Sequence, residues 1–120
     1  MSKTGTNYIE SSRAIFEQYK KLGEKAMAQI SDEALFWKPD PESNSVYLIV
    51  KHLHGNMVSR WTDFLTSDGE KEWRKRDDEF EQREALTREE VMQLWEVGWL
   101  CLFSAFNELK PETLGKHVLI

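Results

Sequence analysis

Apolar residues recur at three- and four-residue steps in three long stretches of this chain, and no proline interrupts them. Such spacing gathers them on one side of an α-helix. The first stretch runs from about Asn7 to Ile30 and carries Ile9, Phe16, Tyr19, Leu22, Gly23, Ala26, Met27 and Ile30. Thr6 or Asn7 is placed to cap it, since a short side-chain oxygen accepts from a free backbone N–H. Ser31-Asp32-Glu33 predicts a short further turn, and Pro39 and Pro41 stop anything helical. The second helix starts at Asn44 or Ser45. It carries Val46, Ile49, Val50, Leu53, Met57, Trp61 and Phe64, and ends at Ser67-Asp68-Gly69.

The third helix opens on the clearest local signal. Thr87-Arg88-Glu89-Glu90 reads as a capping box, with Leu86 and Val91 placed as a hydrophobic staple. It runs to about Leu109, where Lys110-Pro111 closes it. Between the second and third helices, Glu70 to Glu84 holds twelve charges in fifteen residues. A run of this kind reads as a solvated connection, with Trp73 and Phe80 as its anchors. Extended, it reaches ~45 Å, enough to cross the molecule and let the third helix run parallel to the second.

On a helical wheel, Val91, Leu94, Gly98, Cys101, Leu102, Ala105 and Leu109 form one core stripe of the third helix. Met92, Trp95, Trp99, Phe103 and Phe106 form a second beside it. Three helices are not expected to cover both. The second stripe is therefore expected in an isologous homodimer interface, unless a fourth helix covers it.

Composition narrows the classes. The 120 residues suit one domain, 1–120, and the formal net charge of −5 disfavours nucleic acid as a partner. Cys101 is the single cysteine, which excludes an internal disulfide and a Cys-rich zinc site. A buried, inert thiol is expected there. With neither a leader-like apolar segment nor a membrane-length one, the expected location is the cytoplasm, with no membrane partner.

Three histidines are the candidate chemistry. His52 and His54 lie on the second helix and His117 in the tail. His52 sits at the border of the core stripe with Asn56, not a second ligand type, one turn on. By spacing alone it reads either as a polar-border residue or as a metal ligand.

The run Asn44-Ser45-Val46-Tyr47-Leu48-Ile49-Val50-Lys51-His52-Leu53-His54-Gly55-Asn56-Met57, continued by Ser59-Arg60-Trp61-Thr62-Asp63-Phe64, resembles an uncharacterised bacterial branch of the DinB/YfiT-like superfamily. Trp37-Lys38-Pro39 and the segment Trp73 to Phe80 fit it too. The resemblance implies an all-α, up-down-down-up four-helix bundle with a long crossover between helices two and three. It implies a divalent metal, zinc or nickel, held by three side chains. His52 matches one of them, and a His-x-x-x-His on the fourth helix supplies the other two. Relatives include transferases, isomerases and hydrolases, among them enzymes that use a low-molecular-weight thiol.

The sequence departs from that pattern, because it contains no His-x-x-x-His. The expectation is three long helices, with the fourth absent or supplied by a partner chain, in a domain that reads as shortened at its C-terminus. Metal is expected to be weakly held or absent, and the single chain inactive as an enzyme. The alternative is a non-catalytic helical self-association or binding module.

Overall fold

The computed structural model describes residues 3–81 and 86–117, and every regular element among them is helical. In chain order these are α1 (Lys3–Ala28), α2 (Asp32–Phe36), α3 (Val46–Trp61) and α4 (Arg88–Glu108), with single 3-10 turns at Asp77–Phe80 and Pro111–Thr113. Three starts are fixed by the expected side chains. Ser31 accepts from the Ala34 amide at 3.1 Å, Ser45 from Leu48 at 3.2 Å and Thr87 from Glu90 at 3.2 Å. Each such cap contributes about 1 kcal/mol.

Two boundaries differ from the sequence reading. Helix α1 begins at Lys3 rather than Asn7, and its first turn is packed: a Cβ on Gly5 would lie 2.8 Å from that of Pro111. Helix α3 stops at Trp61, well before Ser67. Thr62 is extended and Asp63 turns left-handed at φ 50°, a conformation that a short polar side chain tolerates. The amides of Thr66 and Ser67 then bond to the Asp63 carbonyl at 3.1 and 3.0 Å. Phe64 leaves the helix yet stays buried, its ring 5.5 Å from that of Trp61.

Helix α4 lies between the other two long helices. A Cβ on Gly98 would come within 3.3 Å of the His54 backbone, so the absent side chain sets how closely α3 and α4 approach. Tyr47 and Glu90 face one cleft at one end of this pair, and Trp61 meets Phe106 at the other. The two helices therefore run in the same direction, as the length of the charged connection allows. Helix α1 runs against α4: Lys20 pairs with Glu96 at 3.0 Å, and Arg13 donates to Asn107 at 2.9 Å.

The second stripe of α4 is where the structure corrects the sequence reading. Trp95, Trp99 and Phe106 are buried, and Met92 and Phe103 are partly so, because α1 covers them. Phe16 sits 6.2 Å from Trp99 and 5.6 Å from Phe106, while Gly23 leaves room for the Trp95 indole. Three helices do cover both stripes. A homodimer seated on Met92, Trp95, Trp99, Phe103 and Phe106 would have to displace α1.

The apolar row left open lies on α1 itself. Tyr8, Ile15, Tyr19 and Leu22 are between 52% and 64% exposed. The periodicity had merged two adjacent faces of α1, one seated on α4 through Ile9, Phe16 and Met27, the other turned outward. Arg88 secures the far end of this pairing. Its guanidinium donates to the Met27 carbonyl at 2.9 Å and to that of Ile30, and pairs with Asp32, satisfying carbonyls that a helix end leaves free. No helix among the described residues is long and apolar enough to cross a membrane.

Candidate ligand-binding cleft

The described part of the charged connection is anchored to α3 by several hydrogen bonds. Ser59, fully buried on α3, donates to the Gly69 carbonyl at 2.6 Å and accepts from the Lys71 amide at 3.3 Å. Lys71 reaches back to the Ser59 carbonyl at 2.7 Å. Farther on, Arg74 donates through Nε and Nη2 to Glu79 Oε2 and Oε1 at 2.8 and 3.0 Å. The side chains of both are more than nine-tenths buried. The 3-10 turn Asp77–Phe80 points Glu79 at α3, where only glycine admits it, since a Cβ on Gly55 would lie 2.0 Å from Oε2. Lys51 closes the loop from α3, donating to the Asp78 carbonyl and, at 3.1 Å, to that of Glu81.

The solvated-connection reading fails at these two residues, and the buried anchors are charged ones, while the expected Phe80 and Trp73 reach the bundle at the surface, Phe80 stacked on His52 and Trp73 on the cleft wall. Trp73 and Phe80 are 55% and 47% exposed, while Arg74 and Glu79 go inward. Composition cannot find such a pair, because every residue of a mixed-charge run looks alike until the fold selects two. The part of the Glu70–Glu84 reading that falls on 82–84 lies outside the described residues.

Burial works to raise the Glu79 carboxyl, but the hydrogen bonds and charges of Arg74 and His52 outweigh it and hold it below the usual carboxylate range. Arg74 is correspondingly raised, first by its hydrogen bond to Glu79. His52 Nδ1 lies 3.0 Å from Glu79 Oε1 and its ring stacks 5.2 Å from Phe80. Facing a carboxylate, Nδ1 is the donor. A carboxylate behind an imidazole is also how metal-ligating histidines are oriented.

The remaining donors do not fit a three-ligand metal site. Both Glu79 oxygens are engaged by Arg74, His54 faces elsewhere, and His117 is exposed in the tail. Among the described residues no three His, Cys, Asp or Glu side chains come together.

His54 instead lines a cleft of about 660 Å³ between α3, α4 and the connection. Tyr47, Val58, Leu86, Leu94, Val97 and Trp73 form its apolar surface, and Lys51, Arg74, Lys75, Glu79 and Glu90 its charged one. Burial pushes the His54 imidazole below its ordinary range, against the opposing pull of the Glu79 charge. It stands neutral in the cleft, and no hydrogen bond engages it among the described residues. The sequence offered one signal for this place, the Lys51-His52-Leu53-His54-Gly55 run, in which His52 draws the attention and His54 is the residue that lines the cleft. Cys101, expected in the core, is half-buried and borders a separate hollow with Trp61, Asp63 and Ser104.

Residues 3–120 match a family described as "Protein of unknown function (DUF1572)", which lies in the DinB-like superfamily. The chain belongs to this family. No curated protein and no solved structure matches it. Membership in DUF1572 supports the superfamily resemblance and leaves the activity to be argued from the cleft.

Proposed function

We propose that this DUF1572 chain works as a small-molecule-binding helical module, the non-catalytic alternative to a metal-dependent thiol transferase or hydrolase. One observation carries the reading. The polar groups that would perform chemistry near His52 are engaged with one another, whereas the cleft beside them is roomy and walled by apolar side chains. Its volume falls within the roughly 300–1,000 Å³ of small-molecule sites. The metal reading asks His52 to find two further ligands beyond the described residues.

The test is a titration with N-phenyl-1-naphthylamine, an uncharged apolar dye, followed by fluorescence. Saturable binding of one dye per chain is expected, abolished by Val97→Glu, a substitution at a half-exposed position of the cleft wall. Two results would overturn the reading: no saturable binding, or stoichiometric zinc that survives dialysis, disappears in His52→Ala and supports thiol transfer.

A further inference from the structure

We propose that the natural occupant of the cleft is an amphipathic carboxylate, with an alkyl body along Val58, Leu94 and Val97 and its anionic head at Lys51 and Lys75. This rests on the binding-module reading and adds the ligand's chemistry to it.

Charge accounting within the cleft carries the argument. The Arg74 charge is cancelled by Glu79, which it holds with two hydrogen bonds. Glu90, on the α4 wall, is turned toward the Thr87 hydroxyl at 3.4 Å and keeps its charge, one anion facing the two lysines from the other helix. Among the described residues Lys51 has only backbone carbonyls as partners, so its full charge remains. Lys75 has no partner among the described residues and lines the same cleft. Two ammonium groups without an anionic partner therefore stand at an apolar trough against the carboxylate of Glu90, leaving one net positive charge in a chain whose formal net charge is −5. A surface charged against the sign of the whole molecule selects anions locally. The half-buried His54 adds a neutral hydrogen-bonding group rather than a third cation. A single negative head thus suits a site with one net positive charge better than a phosphate monoester, whose second charge would face Glu90 without a cation to meet it.

The probes are decanoate, decanol and decyltrimethylammonium, each competing with the bound dye. Decanoate is expected to displace it most tightly, decanol more weakly, and the cation least. Lys75→Gln, on the exposed rim, is expected to weaken decanoate about threefold to fivefold, the size of one partly screened charge pair, and to leave decanol unchanged. Lys51→Gln should weaken it further. Because Lys51 also holds the loop, Lys75→Gln is the variant that decides. Dye binding with equal affinity for decanoate and decanol would overturn the carboxylate assignment while leaving the binding module intact. Loss of decanol affinity in Lys75→Gln would overturn it as well. Failure of the dye itself to bind would remove both.

Discussion

Helix α1 is held to α4 by aromatic rings, and the crossover connection is held to α3 by buried charge. On the first seam Phe16, Trp95, Trp99 and Phe106 meet edge-to-face or tilted, with centroids 5.6 to 6.2 Å apart. On the second, a guanidinium and a carboxylate are closed off from water, with an imidazole on the outer side. The aromatic seam gains from area removed from water, with the Trp95 N–H to Glu24 as a polar contact at its edge. The charged seam offsets a desolvation cost with hydrogen bonds, so each member depends on the other. The first seam stabilises; the second gives the connection one defined position, and that position makes a wall of the cleft.

The largest expected effect comes from breaking the aromatic seam. Trp99→Ala should cost about 3–5 kcal/mol, read as a lower urea midpoint, because Phe16, Trp95 and Phe103 all lose a neighbour. Trp99→Phe should cost much less, since the buried indole N–H has no hydrogen-bond partner among the described residues to forfeit. Light scattering separates this from the interface expected from sequence. A stripe covered by α1 loses stability in Trp99→Ala with no change of oligomeric state; a stripe used between chains loses the dimer first.

The charged seam should respond differently to single and double substitution. Arg74→Met alone leaves a buried carboxylate with only His52 beside it and should cost about 3 kcal/mol. Adding Glu79→Leu should restore most of that loss, because two apolar side chains remove the desolvation cost together. A double variant as unstable as the single would show that the pair contributes net stability and that the two seams do not differ in this way.

These seams were unequally visible in the sequence. The N-cap at Thr87, the stripe of α4 and the turn opened by Ser31 are local, and these signals survive folding, though Glu90 meets the Thr87 hydroxyl rather than its backbone N–H as a full capping box requires. The role of α1 was half visible: Ile9 and Phe16 belong to the buried face, but Tyr19 and Leu22 lie close enough on the wheel to be counted with them. Only the position of α4 separates the two rows. The end of α3 was hidden by one left-handed residue, Asp63, in an otherwise continuous pattern. The Arg74–Glu79 pair was hidden altogether, since its signal is the spatial meeting of a loop, Gly55 and His52. The cleft inherits that blindness, and the histidine that lines it is the one the family pattern passes over.

Proton uptake gives the smallest effect and the finest comparison. Glu79 is held low in the folded state, so its contribution is intact above the unfolded value of about 4.3 and is lost as pH falls through the folded one. Glu24, beside Trp95 on the aromatic seam, is also held low: burial opposes this, but Lys20 and the Trp95 N–H outweigh it. Strong acid therefore weakens both seams and cannot tell them apart. His54 can. Its folded pKa is depressed by burial, so below about pH 6.5 the unfolded chain takes up a proton that the folded cleft refuses, and stability falls as pH falls. The urea midpoint should thus begin to drop between pH 7 and 5.5, before either carboxylate titrates. His54→Asn should flatten that interval and leave the drop below pH 4.5 in place. An unchanged slope between pH 7 and 5.5 in His54→Asn would mean that the imidazole is as well solvated folded as unfolded, and that the cleft is wetter than its apolar walls imply.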